Sequence, residues 1–273
     1  MNDSRTRTAL VTGASSGIGR AVAELLVAQG FRVIGTSRKP EAMGESARVA
    51  GVEYRALDLC DPGAIEAFAG DLGAVDVLVN NAGESQSGPF EELPSEAIER
   101  LFQLNVFGPV RLSQLVLPGM RERGHGRIVM VGSMLASFPL AYRSSYVSAK
   151  AAIKGFAEAA RLELAPRGVW ITTVEPGSIN TGISERRTKY VAPDSPYREE
   201  FDTVIGKLDS NEAQGISPQL VARTVLKAIS DDRPRPLYAV GSRAPLVFTL
   251  RRILPRSVIE SIVARMHGLS IRR

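Results

Sequence analysis

The strongest constraint on the fold is a rhythm: short apolar runs, each followed by a segment of helical periodicity. The runs fall at residues 8–12, 31–35, 52–57, 75–79, 128–131 and 169–174, with a weaker one at 237–240. Apolar strands separated by helical segments imply the α/β class, a doubly wound parallel sheet of about seven strands covered on both faces. Residues 18–28 carry Ile18, Val22, Leu25 and Leu26 at helical spacing, and Gly30 ends that helix. Two longer helices are expected at 95–122, kinked near Gly108 and Pro109, and at 145–165, stopping before Pro166 and Gly168. No repeat, low-complexity tract or linker divides the chain, so one domain is expected over residues 1–273. The pattern fails at 178–215, where Pro193 and Pro196 sit among polar residues. Such a stretch reads as a mobile lid beside a site.

A chain of 273 residues can bury a core without disulfides or metal. Cys60 is the single cysteine, and His125 and His267 are the only imidazoles, too few for a zinc site, so no metal is expected. Residues 1–8 are polar and no apolar stretch approaches the ~20 residues of a membrane span, which makes a cytoplasmic setting the expectation. The net charge of +5 owes much to Arg235, Arg243, Arg251, Arg252, Arg256, Arg265, Arg272 and Arg273. A solvated helix face is the simpler explanation; an acidic partner or a membrane surface is the other. No recognition motif accompanies the charge, so nucleic-acid binding is not expected.

Between the first strand and the first helix lies Thr12-Gly13-Ala14-Ser15-Ser16-Gly17-Ile18-Gly19. A backbone that turns sharply, admits a pyrophosphate and packs a helix closely on a sheet needs glycine at such points. Gly13, Gly17 and Gly19 meet those demands, and the N–H groups of Ser15, Ser16 and Ile18 face the helix start, where an anion is favoured. This makes the domain Rossmann-type. A site for NAD usually places an acid at the end of the second strand. Here Thr36-Ser37-Arg38 stands instead. Arg38 can pair with a 2′-phosphate and the hydroxyls of Thr36 and Ser37 can add donors, which favours NADP(H) over NAD(H).

Tyr146 and Lys150 open the alanine-rich helix, four residues apart and on one face. A phenol titrates near 10 and is a poor base at neutral pH; a nearby ammonium lowers that value and makes it a usable acid and base. Ser133 follows the fifth strand, at the carboxyl edge where open α/β sheets bind ligands.

Together these motifs resemble the short-chain dehydrogenase/reductase family, nearest its hydroxysteroid and retinol dehydrogenase branch. The matching residues are the 12–19 loop, Asn80-Asn81-Ala82-Gly83, Asn105, Ser133, Tyr146 with Lys150, and Pro176-Gly177 with Thr181, in the family's order over residues 8–181. The resemblance implies Tyr146 as general acid/base, and Ser133 as the hydrogen-bond partner of the substrate oxygen. It implies Lys150 as the group that lowers the tyrosine pKa and binds the nicotinamide ribose, and Asn105 as the holder of a relay water. Asn81, Ala82 and Gly83 would then line the cofactor, Asp58 and Leu59 would contact adenine, and Ile179 and Thr181 would hold the carboxamide. A homodimer or homotetramer through the two long helices is also implied.

Met134-Leu135-Ala136-Ser137-Phe138-Pro139-Leu140, with Ile183, Tyr190, Val191, Tyr197 and Phe201, suggests an apolar pocket for a lipophilic alcohol or ketone. The same side chains could simply pack a core. Residues 244–273 hold two amphipathic segments split by Pro255, one with Val247, Leu250 and Leu254, the other with Ile259, Ile262, Val263 and Met266. This extension is expected to close the pocket or form a subunit contact, with peripheral membrane contact as a further reading. Two rival functions remain: a non-catalytic NADP sensor, against which Ser133, Tyr146 and Lys150 argue, and a methyltransferase, against which Arg38 argues.

Overall fold

A computed structural model describes residues 6–269; Arg272 and Arg273 of the basic extension lie outside the described residues. The first half of the chain forms β1 (Thr8–Val11), α1 (Gly17–Ala28), β2 (Arg32–Ser37), β3 (Val52–Ala56), α2 (Pro62–Gly70), β4 (Val77–Asn80) and β5 (Gln86–Ser87). Next come α3 (Ser95–Phe102), α4 (Gly108–Glu122), β6 (Gly126–Val131), α5 (Ser144–Leu164) and β7 (Val169–Pro176). The remainder forms β8 (Thr188–Lys189), α6 (Arg198–Ala213), α7 (Pro218–Ser230), β9 (Leu237–Val240), α8 (Ala244–Ile253) and α9 (Arg256–Met266). The main sheet has seven strands in the order β3-β2-β1-β4-β6-β7-β9, each pair parallel. The strand order reverses between β1 and β4, and a ligand crevice opens there at the carboxyl ends.

Both sheet faces are covered, as the apolar runs require. Ala9, Val11, Val77 and Val79 meet Val22 and Leu26 of α1 and Val221 and Val225 of α7 on one side. On the other, Leu10, Leu78, Ile128 and Met130 meet Ile65, Leu112, Met120 and Ile153. Leu10, Leu78 and Leu112 have no solvent exposure, and each such side chain contributes about 2 kcal/mol through burial.

The structure departs from the sequence pattern in three places. The segment 95–122 is not one kinked α-helix: a π-helical turn over Gln103–Phe107 separates α3 from α4. Pro109 sits in the first turn of α4, where its missing N–H leaves no bond unmade, so it is not the break. Residues 178–215 are less irregular than expected. Thr188 and Lys189 pair in parallel with Gln86 and Ser87, and α6 fills 198–213. Phe201, Val204, Ile205 and Leu208 are its buried stripe, at i, i+3, i+4 and i+7 spacing diluted by polar residues on the other faces. Finally, β2 runs on to Ser37, which brings Ser37 and Arg38 to the carboxyl edge of the sheet. Among the described residues no helix is long and apolar enough to cross a membrane.

Candidate active site

The glycine loop is locked to the turn after β4 by hydrogen bonds that use the backbone. Thr12 Oγ1 accepts from the N–H groups of Asn81 at 2.9 Å and Ala82 at 3.0 Å. Asn81 Nδ2 donates back to the Thr12 carbonyl at 2.9 Å. Gly13 takes φ +66°, which favours glycine, and a Cβ on Gly19 would lie 2.3 Å from the Gly13 carbonyl oxygen. The start of α1 has no side-chain cap on its N–H groups and no acid in its first turn. Those free donors and the positive helix end make a place for an anion. Gly13, Ser15, Ser16, Gly17 and Ile18 all line one cavity of about 1160 Å³. Gly19 lies behind it, as the residue that lets the helix approach.

The same cavity is lined by Ser37, Arg38, Asp58 and Leu59, by Asn81, Ala82 and Gly83, and by Pro176, Gly177, Ile179 and Thr181. Arg38 is exposed and forms no ion pair with any described residue. Thr36, read from sequence as a further phosphate donor, is buried, and its hydroxyl accepts the Gly13 N–H at 3.3 Å. It shapes the loop and also lines the cavity. Asp58 Oδ1 accepts the Cys60 N–H at 2.9 Å and so holds its own turn. A dinucleotide fits this end of the cavity: backbone donors without a partner, no side chain filling the cradle, and a free guanidinium beyond β2.

Ser133, Tyr146 and Lys150 converge at the middle of the cavity. Ser133 follows β6 and accepts the Leu135 N–H at 3.2 Å, which fixes its rotamer in a short helical turn. The nearby Ser133 hydroxyl favours the ionised form of the Tyr146 phenol. Lys150 Nζ donates to the Val131 carbonyl at 2.9 Å. Burial pulls its pKa down to about 8. Burial is also the largest influence on Tyr146, and it raises the phenol's pKa; Arg143, then Ser133 and Arg187, oppose that rise.

Asn105 stands apart from this group. Its Oδ1 accepts the Glu84 N–H at 3.0 Å and its Nδ2 donates to the Glu84 carbonyl at 3.0 Å. The side chain is buried and does not line the cavity. These two bonds make Asn105 a clamp that fixes the turn after β4. The π-helical turn is what points it there.

The far wall differs from the one read from sequence. Met134, Leu135, Phe138 and Ile183 line the cavity as expected. Leu140 and Phe201 instead form a separate core with Val204 and Ile205, joined by Val191, and Tyr190 and Tyr197 do not reach the cavity. Most of the wall comes from the extension: Leu246, Val247 and Leu250 of α8, with Ile259, Ile262 and Met266 of α9. Phe138 meets Phe248 edge to face at 5.2 Å, which ties α8 to the loop after Ser133.

Sequence reasoning passed over three residues. Arg143 is buried against Tyr146. Arg187 has a fully buried side chain that pairs with Asp209 and, at 2.6 Å, with Glu212, fastening α6 to the strand β8. Glu175 is also fully buried; Lys154 lies 3.1 Å from it and Ser137 donates to it at 2.9 Å. Arginines in turns usually face water, so nothing in their spacing marked the first two.

The fold and this arrangement define a nicotinamide-dependent type of oxidoreductase, and comparison with known proteins gives the family. The model of the short chain dehydrogenase family matches residues 7–191. The uncharacterized oxidoreductase YusZ of Bacillus subtilis is 34% identical over 276 residues, covering 95% of this chain and 98% of that one. A 3-ketodihydrosphingosine reductase of Bacteroides thetaiotaomicron is 30% identical, covering 88% and 89%. Among solved structures, a short-chain dehydrogenase from Streptomyces avermitilis superposes with a TM-score of 0.81 at 35% identity, covering 99% and 100%. The closed form of a serine dehydrogenase complexed with NADP+ gives 0.72 at 28%, covering 87% and 95%. The chain belongs to the short-chain dehydrogenase/reductase family. It is a dehydrogenase/reductase on a fold that binds a nicotinamide cofactor.

Proposed function

We propose that the protein is an NADP(H)-dependent enzyme that interconverts a lipophilic alcohol and its ketone or aldehyde. One observation carries this: a single cavity joins the Ser133–Tyr146–Lys150 centre to a wall of apolar side chains from α8 and α9. The nicotinamide cofactor supplies or accepts the hydride when bound. Tyr146 gives its phenolic proton to the substrate oxygen in reduction and takes it back in oxidation. Ser133 donates a hydrogen bond to that oxygen and stabilises the charge that develops on it. Lys150 holds the ribose hydroxyls, and Arg38 pairs with a 2′-phosphate. The apolar wall excludes water and sets substrate bulk. The NADP+-bound serine dehydrogenase supports the cofactor preference, and the 3-ketodihydrosphingosine reductase supports a lipophilic keto substrate.

Residues 178–215 act in this reading as a lid, fastened at Arg187. Exposed Phe107, Phe156 and Leu162, beside or on the long helices α4 and α5, are surface that a subunit contact would cover. The test is a panel of steroid, retinoid and long aliphatic ketones offered with NADPH, read by loss of its absorbance. Turnover is expected on some member. Tyr146→Phe should lower kcat by at least about a hundredfold while NADPH still binds. Binding of NADPH without turnover on any member would favour the sensor reading.

A further inference from the structure

Arg143 precedes α5 and is only 2% exposed, although it is charged. Its guanidinium carbon lies 4.3 Å from the centre of the Tyr146 ring, whereas Lys150 Nζ lies 5.8 Å from that centre. Nη1 donates to the Gln86 carbonyl at 2.7 Å and to Ser87 Oγ at 2.9 Å. Nε is buried without an acceptor. No carboxylate among the described residues forms an ion pair with Arg143. A buried cation left in this state is costly and calls for a compensating anion.

The neighbouring elements show where that anion can arise. Arg187, beside β8, carries the same charge and opposes it; Asp209 and Glu212 of α6 favour the charged form of Arg143 from beyond ion-pair distance, while their ion pairs are with Arg187. Ser133, from the loop after β6, is neutral, and Lys150 of α5 is a cation that sits on the Val131 carbonyl. Tyr146, whose ring the guanidinium covers, is the ionisable group in direct contact with Arg143. We propose that Arg143 is the counter-charge for the Tyr146 phenolate, setting its proton affinity from the face of the ring. This rests on the reading of Tyr146 as the acid/base group. A cation over the face of a neutral ring is held by its quadrupole, and ionisation of the phenol adds a direct charge–charge attraction. The mutual effects agree: Arg143 is the largest influence opposing the rise at Tyr146, and Tyr146 favours the charged form of Arg143. Burial lowers Arg143 to about 10, which leaves it charged at neutral pH.

The test uses Arg143→Gln, which keeps amide donors for Gln86 and Ser87 but no charge, and Arg143→Lys, which keeps the charge without the fork. In the pH profile of alcohol oxidation, the glutamine variant should move the phenol limb up by about one pH unit, so that turnover below it falls about tenfold. The lysine variant should stay within about threefold of wild type. If the glutamine variant does not fold, Arg143→Met is the second neutral variant, with the same expected shift. A second readout needs no turnover: tyrosinate absorbance titrated with Tyr146→Phe protein as the blank. Its Tyr146 step should move to higher pH in the neutral variants. An unmoved step in a folded neutral variant overturns the proposal. So does an unmoved pH profile with KM raised only for carboxylate-bearing substrates, which would make Arg143 a substrate anchor. Full turnover in Tyr146→Phe would instead remove the acid/base reading, while the absorbance titration still reports on Arg143.

Discussion

The two ends of the cavity are built from different material. At the cofactor end, the walls are backbone: the loop after β1 and the turn after β4 bond each other directly, and glycine stands where any Cβ would collide. At the substrate end, the walls are side chains on α8 and α9, several of them with one edge still in water, such as Ile262 at 42% and Met266 at 66% exposure. The first kind of wall tolerates almost no change of residue. The second can be reshaped one side chain at a time while the sheet stays intact. A fold made this way keeps its cofactor and exchanges its substrates.

The sharpest way to break the contrast is Gly19→Ala. The added methyl would sit 2.3 Å from the Gly13 oxygen and 2.4 Å from Asn81 Nδ2. Overpacking of this kind costs about 1–3 kcal/mol. NADPH affinity should fall by roughly a hundredfold and Tm by about 5 °C, read by fluorescence titration and thermal unfolding. Unchanged affinity would mean that the cradle is not rigid. Arg38→Asp comes next: replacing a charge-assisted pair by repulsion should move the NADPH-to-NADH preference by roughly 10–100-fold. A preference that stays put would remove Arg38 from phosphate recognition.

On the substrate side, Val247→Trp should lower kcat/KM for the bulkiest substrate by about tenfold, while the NADPH Kd stays within about twofold. Equal loss of both would show that the two ends are coupled. A further test concerns Lys150, the charge buried between them. Its folded pKa of about 8 lies below the ordinary lysine value of 10.5. The unfolded chain therefore holds more protons between those values, and stability rises with pH across that window. The benefit is present above about 10.5 and lost as pH falls through 8. Denaturant unfolding of the empty protein at pH 8 and pH 10 should show this slope in wild type and lose it in Lys150→Met. An identical slope in both would place the titration elsewhere.

Much of the cofactor end was legible in the sequence because its requirements are local. A strand, a run of glycines and a helix start must follow one another, so residues 12–19 announce the cradle. The seven strands were legible for the same reason, to within a few residues at their ends. The substrate end depends on distant contacts. Val247 and Ile262 showed amphipathic faces, yet the partner of those faces is a loop more than a hundred residues earlier. Tyr197 and Phe201 had the right chemistry for a pocket and went into another cluster with Tyr142. The burial of Arg143 and the clamp formed by Asn105 were not legible for a related reason. The burial of an arginine and the aim of an amide are set by what folds over them, here β5 and the π-helical turn.

The parallel pairing of β5 with β8 joins residues 86–87 to residues 188–189. On the ribosome, the cradle's own strands are all made before the first of those partners can meet the second. Arg143, whose bonds run to Gln86 and Ser87, waits on a strand whose other edge is covered only by chain emerging later. The wall from α8 and α9 comes last of all. The residues of the nucleotide cradle are therefore all made well before those of the substrate wall. The order of synthesis leaves the substrate wall, unlike the Ser133–Tyr146–Lys150 centre, unmade until nearly the whole chain is present.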